Sequence, residues 1–308
     1  MLDSPPPPLV VILGPTAVGK TEIALRLAGN LDGEIVSADS RLFYRGMDIG
    51  TAKPNLAERQ RVPHHLIDVA EPDQTWSLAV FQREAQKAIA SIHQRNRLPF
   101  LVGGTGQYIQ AVLEGWQVPQ VLPNPRLRSA LEGWAQQVGP DGLHQRLALL
   151  DPDSAASIDP RNLRRTVRAL EVILSSGRLF SGQRRRGVSL YRTLTLGLHR
   201  PRPELYARID ARIQGMLEAG LIDEVRSLLE RGFAPELPTL SAIGYGEIIT
   251  FLKGGISLDE AVTLIKRKTR IFVRRQANWF KLDDPQIRWF EVGPTTLEEM
   301  DAAIRAWF

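Results

Sequence analysis

Residues 14–21 read GPTAVGKT, and no other stretch limits so sharply what this chain can fold into. It fits the pattern G-x-x-x-x-G-K-[ST]. An apolar run at 9–13 precedes it, and Ile23, Ala24, Leu27, Ala28 and Leu31 follow with the spacing of one helical face. Buried strand, glycine loop and helix in that order make a phosphate cradle. The loop Gly14, Pro15, Thr16, Ala17, Val18 and Gly19 turns backbone N–H groups and a helix N-terminus toward an anion. Lys20 adds a point charge, and Thr21 offers a hydroxyl to Mg²⁺. The competing reading, a chance glycine turn, is opposed by loop spacing, the Lys-Thr ending and both flanks. The motif does not say which phosphate compound is held, so adenine-nucleotide (ATP) binding stays open.

The segments after it alternate between strand and helix character. Strands are expected within 33–40, a short one ending in a polar turn that carries Asp39 and Ser40, at 64–69, and at 98–102 running into Gly103-Gly104-Thr105-Gly106. An amphipathic helix is expected at 77–92, and 41–54 reads as a structured loop. This alternation predicts an α/β fold with a doubly wound parallel sheet. Three prolines in 118–125 break the pattern, and an arginine-rich helical region runs to about residue 190 before a strand at 193–198. The expected organisation is a core of 1–118 and 191–308 with a helical insertion at 119–190. Further helices are expected at 203–219, 221–231, 258–281 and the C-terminus.

Composition matters through three features. The chain has 308 residues and no cysteine, which excludes disulfides, thiolate metal sites and a Cys nucleophile and suits a reducing cytoplasm. No apolar run is long enough to span a bilayer, and MLDSPPPPL lacks the layout of a secretory signal, so a cytoplasmic, membrane-free protein is expected. The net charge of +5 is unevenly spread. Residues 161–192 hold nine arginines against Glu171 alone, and 261–282 hold seven Lys or Arg and no acid. Two such segments on an otherwise acidic chain suggest a polyanion surface, although a charge run is also what a solvated face looks like.

Several residues could carry chemistry. Asp39, at the mouth of the second strand, suits either a metal shell or a general base; a turn cap beside Ser40 is the plainer alternative. The strand at 98–102 ends in GGTG without the acid a P-loop hydrolase uses for its metal; Asp68 is a possible substitute. Thr105 can hydrogen-bond a phosphate or leaving oxygen, or merely cap a helix. In 203–219, Leu205, Ile209, Ile213 and Met216 form an apolar stripe. Arg212 falls roughly 20° from Leu205, with Arg208 flanking. An inward arginine needs an anion, which a phosphate group or a buried carboxylate could supply.

In a helix at 159–176, Arg161, Arg164, Arg165 and Arg168 share one face opposite Leu163, Val167, Leu170 and Leu174, a row suited to nucleic-acid phosphates. Arg184, Arg185 and Arg186 extend it or form a charged loop. Segment 261–281 interleaves Lys266, Arg267, Lys268, Arg270, Arg274 and Arg275 with Phe272, Trp279 and Phe280. That mixture suits a single-stranded loop, yet Val262, Ile265, Phe272 and Trp279 also have core spacing. The five histidines show no metal-ligand spacing.

Over nearly its whole length the chain resembles the tRNA dimethylallyltransferases, also called tRNA isopentenyltransferases. The matching stretches are GPTAVGKT at 14–21, SADS at 37–40, YRGMDIGTAKP at 44–54, HHLIDV at 64–69 and GGTGQY at 103–108. RRTVRALE at 164–171, ARIDARI at 207–213, IGYGE at 243–247 and RRQANWF at 274–280 continue the series in order. The resemblance implies a P-loop-kinase-like core with an inserted small helical domain. It also implies transfer of a dimethylallyl group from dimethylallyl diphosphate to an exocyclic amine. The acceptor is the adenosine 3′-adjacent to the anticodon (position 37) in tRNAs reading UNN codons.

By position, the resemblance makes 14–21 the diphosphate or nucleotide loop, with Thr21 on Mg²⁺. Asp39 becomes the general base, and Thr105 and Arg212 assist the leaving diphosphate. Asp39, Ser40, Arg41, Leu42, Thr105, Arg128, Arg164, Arg165, Thr166, Val167, Arg168, Arg275 and Gln276 fall on RNA-contacting positions. Arg41 and Leu42 replace a residue followed by Gln, and Arg161-Asn162 replaces Asn-Asp. The implied partner is the anticodon stem-loop, and a monomer is expected. Two other readings stay open on spacing: a P-loop kinase of a small metabolite, and a nucleotide-gated RNA-binding protein.

Overall fold

A run that is apolar at every position is satisfied only when both faces of the strand are covered. Val10, Val11, Ile12 and Leu13 are fully or almost fully buried in β1 (Pro8–Leu13), and the sheet grows on both sides of it. The computed structural model describes residues 5–119, 121–183 and 187–308. It divides into two compact units, Met1–Leu113 with Leu190–Phe308, and Glu114–Ser189.

In the larger unit β1 leads into α1 (Lys20–Asn30), β2 (Gly33–Ser37), α2 (Leu56–Arg61), β3 (His64–His65), α3 (Leu78–Gln94), β4 (Leu98–Gly103) and α4 (Gly106–Leu113). The smaller unit holds α5 (Pro125–Leu150), α6 (Pro152–Ser157) and α7 (Leu163–Ser176). The larger unit resumes with β5 (Arg192–His199), α8 (Arg202–Glu218), α9 (Leu221–Glu230), α10 (Tyr245–Leu252), α11 (Leu258–Ala277), β6 (Arg288–Glu291) and α12 (Thr296–Trp307). The sheet runs β3-β2-β4-β1-β5-β6, parallel throughout, as the alternation of elements predicted.

That order decides where chemistry can occur. Strands β2, β4 and β1 are neighbours, so Asp39, the GGTG turn and the phosphate loop emerge side by side at their carboxyl ends. Ligands of open parallel sheets bind at that edge. The approach is close: a Cβ on Gly103 would come within 2.5 Å of the Ala38 carbonyl oxygen. Only glycine lets the ends of β2 and β4 meet so tightly.

Several expected boundaries move. The strand expected over 64–69 is only His64–His65, because Leu66 and Asp68 adopt left-handed φ values of 62° and 57°. The short strand β6 and helix α10 were not expected, and α11 ends at Ala277 rather than 281. The smaller unit begins at Glu114, where the expectation began at 119; the Glu114 carbonyl accepts a bond from Gly187 N–H inside that unit. Its core is its own, built from residues such as Leu131, Leu143, Leu147, Val167 and Leu170. Long helix α5 is broken at Gly139 (φ 77°, ψ 162°), with Pro140 restarting it.

Candidate functional site

The phosphate loop is built to receive an anion. Helix α1 has no side-chain cap at its N-terminus, so its first N–H groups stay available, and Thr21 lies exposed in the first turn. Lys20 Nζ donates to the carbonyls of Gly14 (3.0 Å) and Pro15 (2.8 Å), which keeps it folded onto its own loop. Two arginines brace the outside. Arg200 Nε donates to the Val18 carbonyl (3.0 Å), and Arg208 Nε donates to that of Ala17 (2.9 Å), whose φ of 63° is left-handed.

Burial pushes the Lys20 ammonium down to about 8; nearby Asp39 opposes the fall and Arg212 adds to it. Free protein therefore surrenders this charge as pH rises through about 8, while a lysine in the unfolded chain keeps it to about 10.4. An anion in the cradle restores the proton. Calorimetry with inorganic pyrophosphate in two buffers of different ionisation heat, corrected for the ligand's own protonation, should show more proton uptake per site at pH 9 than at pH 7.

Asp39 leaves β2 with its Oδ1 accepting the Arg41 N–H (3.0 Å), a local turn that orients the carboxylate. Ser40 N–H reaches Thr105 Oγ1 at 3.5 Å, linking the Asp39 turn to the GGTG turn. Arg41 Nη1 donates to the Thr239 carbonyl (3.3 Å). Leu42 is half-buried and lies outside the cavity wall; its carbonyl accepts the Asp68 N–H (3.1 Å).

Arg212 resolves the question its position in the apolar stripe raised. Leu205, Ile209 and Ile213 are buried as expected, whereas Arg212 beside them is half-buried and lines the cavity. No described carboxylate lies within ion-pair distance of it. Its Nη2 donates to the Thr51 carbonyl (3.2 Å), while its buried Nε has no partner among the described residues. Burial lowers its pKa, and the charge on Asp39 works against that shift. A half-buried cation with a buried, unspent donor is the protein half of an anion site.

Asp39, Thr105 and Arg212 share a cavity of about 470 Å³ within the larger unit, which the phosphate loop reaches through Thr16 and Ala17, while Lys20 and Thr21 are not part of its wall. Its polar lining includes Thr16, Asp39, Ser40, Arg41, Thr105, Arg212 and Arg275. Ile209, Ile213, Met216, Ile243, Ile265, Phe272 and Trp279 supply the apolar part. Phe272 and Trp279 are 41% and 39% exposed, so they are cavity-mouth aromatics rather than core, whereas Ile265 is buried.

Some expected residues are occupied otherwise. Gln276 is 7% exposed: its Oε1 accepts the Thr16 N–H (2.9 Å) and its Nε2 donates to the Gly104 carbonyl (3.0 Å). It ties the phosphate loop to the GGTG turn and also lines the cavity, while neighbouring Arg275 is exposed. Asp68 cannot replace the missing strand-end acid, because Lys53 Nζ (2.6 Å) and Arg59 Nη1 (2.7 Å) hold its carboxylate, and these pairs pull its pKa down against desolvation.

In the smaller unit the arginine row is shorter than expected. Helix α7 starts at Leu163, so Arg161 lies off it, paired with Asp159. Thr166 and Val167, expected among RNA contacts, are buried, the Thr166 hydroxyl bonding the Asn162 carbonyl. Leu174, expected to pack, is exposed. Fully buried Glu171 accepts both Nε and Nη2 of Arg128 (2.9 Å each), Arg168 Nη1 (2.6 Å) and the Asn124 N–H (2.7 Å). Arg164 and Arg165 remain exposed, and neither forms an ion pair among the described residues. Arg184, Arg185 and Arg186 lie outside the described residues.

Comparison with known proteins gives the family of the chain. The IPP transferase family model matches residues 42–283. A tRNA dimethylallyltransferase of Roseiflexus sp. (strain RS-1) is 53% identical over 97% of this chain and 98% of its own. One from Thermomicrobium roseum is 50% identical over 92% and 86%. Among solved structures, the full-length tRNA isopentenylpyrophosphate transferase of Bacillus halodurans has a TM-score of 0.72 and 41% identity, covering 97% of this chain and 95% of its own. A eukaryotic dimethylallyltransferase described as acting on tRNA has a TM-score of 0.80 and 28% identity, covering 97% and 77%.

Proposed function

Because this chain belongs to the IPP transferase family, we infer that it is a tRNA dimethylallyltransferase. It moves the dimethylallyl group of dimethylallyl diphosphate to the exocyclic amine of the adenosine 3′-adjacent to the anticodon in tRNAs reading UNN codons. The product is N6-(dimethylallyl)adenosine. The same reading has a monomer acting in the cytoplasm on the anticodon stem-loop; no described helix is long and apolar enough to cross a membrane. The observation that carries it is one cavity lined by a carboxylate, a hydroxyl and an inward arginine beside apolar walls.

Each part has a task. The exocyclic amine is a weak nucleophile because its lone pair is delocalised into the ring. Its nitrogen attacks the C1 carbon of the donor as the C1–O bond to diphosphate breaks, and Asp39 takes the amine proton. The bonding pair leaves with the diphosphate, and the loop N–H groups, Lys20 and the free Nε of Arg212 meet that growing charge. Thr105 hydrogen-bonds the departing oxygen. The acceptor base is extruded from the anticodon loop into the cavity, and the apolar side chains shelter the prenyl carbons from water.

The donor set also fits Mg²⁺. Among the described residues no three His, Cys, Asp or Glu gather into a metal cage, whereas Thr21 offers one exposed hydroxyl beside the anion loop. Mg²⁺ commonly takes few protein ligands and completes its shell with water and phosphate oxygens. Thr21 would hold it, and the ion supplies positive charge to the diphosphate.

Arg164 and Arg165 are exposed cations of the smaller unit that face no ion-pair partner among the described residues, so they are assigned to the RNA backbone. Replacing both with alanine should weaken stem-loop binding and make its dependence on log salt shallower by roughly 1.5 to 2. A salt titration of binding that returns an unchanged slope would remove them from the interface. The reaction itself is tested by incubating the protein with dimethylallyl diphosphate, Mg²⁺ and unmodified tRNA, then digesting the RNA to nucleosides. Dimethylallyl-adenosine is expected from the position beside the anticodon. Its absence, with ATP-dependent phosphorylation of a small molecule instead, would favour the kinase reading.

A further inference from the structure

The carboxylate of Glu224 accepts three consecutive backbone N–H groups of one loop: Asp48 (2.8 Å) and Ile49 (2.7 Å) on Oε2, and Gly50 (3.1 Å) on Oε1. The Tyr245 hydroxyl donates to the same Oε1 at 2.6 Å. Four donors converge on one side chain that is itself absent from the cavity wall. Ordinary loops satisfy such N–H groups with water or with their own turns. Here a distant residue in the first turn of α9 does so, where the helix dipole also favours a negative charge.

The clamped loop matters because its end enters the site. Gly50 and Thr51 line the cavity, and the Thr51 carbonyl takes the only hydrogen bond that Arg212 makes among the described residues. The loop also lies flush on Tyr245: a Cβ on Gly50 would come within 2.5 Å of its ring. Tyr245 is fully buried, and burial together with Glu224 drives its phenol well above the ordinary range, so it stays a donor.

We propose that Glu224 is a positioning residue for the transfer reaction, holding residues 48–51 so that the Thr51 carbonyl aims the Arg212 guanidinium at the leaving diphosphate. This rests on the function proposed above. A carboxylate is required, since each of its oxygens can accept two bonds and no polar hydrogen of its own meets the loop. An amide would turn an NH₂ group toward N–H donors on one side. The resulting shift of Arg212 is small in distance but acts where geometry governs rate.

The test compares Glu224→Gln in the native background and in an Arg212→Lys background. With native Arg212, E224Q should lower kcat roughly 10- to 100-fold, leaving KM for the stem-loop within about threefold. With R212K already present, E224Q should cost less than about threefold more, because the group it positions is gone. Inorganic pyrophosphate binding gives a readout independent of turnover and should show the same non-additive pattern. It still decides the matter should the wild-type protein transfer no prenyl group, a result that would sink only the proposed function. Equal losses in both backgrounds, accompanied by a lower melting point, would make Glu224 a stabilising clamp and overturn the proposal. So would native kcat in E224Q. If E224Q does not fold, Glu224→Asp keeps the charge but shortens the reach, and the same two backgrounds apply.

Discussion

Asp39→Ala should lower the rate of prenyl transfer by about 10²- to 10⁴-fold, the usual worth of a positioned general base. Stem-loop binding should change by less than about threefold. The alanine variant alone would be ambiguous, because Asp39 Oδ1 also accepts the Arg41 N–H and so shapes the turn between β2 and the loop. Asp39→Asn separates the two roles. Asparagine keeps an oxygen for Arg41 but does not take a proton at neutral pH, so the base assignment predicts that D39N is nearly as inactive as D39A. A turn-capping role predicts that D39N stays active while D39A fails. Single-turnover kinetics on both variants, with binding measured separately, decides between them.

Arg212→Met should behave differently again. Transition-state stabilisation of a leaving group by one charged donor is worth about 10² to 10³ in kcat, and a fall of that size is expected. Yet the protein should be no less stable. Arg212 is a half-buried cation on α8 with an unpartnered Nε; Asp39 offsets its desolvation only through space, and no carboxylate among the described residues forms an ion pair with it. Removing a poorly paired, desolvated charge and refilling the space with an apolar side chain is commonly neutral or stabilising. A melting point equal to or above that of the parent, together with the kinetic loss, marks a residue retained for chemistry at a cost in stability. A large drop in melting point would show that the bond to Thr51 is structural in purpose.

The parts of this site legible in the sequence are those a linear pattern can encode. GPTAVGKT announced itself because loop, cation, hydroxyl and helix are contiguous. The inward Arg212 was also visible, since a helical period places it among Leu205, Ile209 and Ile213 without any long-range knowledge. The doubly wound sheet followed from alternating apolar runs, and the interleaved order that seats Asp39 and Thr105 beside the loop is visible in the folded chain.

Other features depended on partners far away in sequence. The strand over 64–69 failed because Lys53 and Arg59 anchor Asp68 in a left-handed turn. The arginine row shrank because Glu171, a single acid in a basic segment, is fully buried and draws in Arg128 and Arg168. Gln276 falls on an RNA-contacting position by resemblance alone, yet its amide bridges two loops more than 170 residues upstream. Glu224 gave no signal beyond an acid near a helix start, and the three N–H groups it holds belong to a loop 174 to 176 residues away. Strand β6 went unseen because an edge strand with one buried residue has no apolar run to detect.

The central claim is that the phosphate loop grips a diphosphate to be expelled, and does not pass a phosphoryl group on. A doubly labelled donor tests this directly, with tritium in the dimethylallyl group and ³²P in the diphosphate, incubated with Mg²⁺ and unmodified tRNA. The account predicts tritium in the RNA and ³²P released as free pyrophosphate in equal amount. Tritium staying with the diphosphate, while γ-labelled ATP gives up its phosphate to an acceptor under the same conditions, would contradict it.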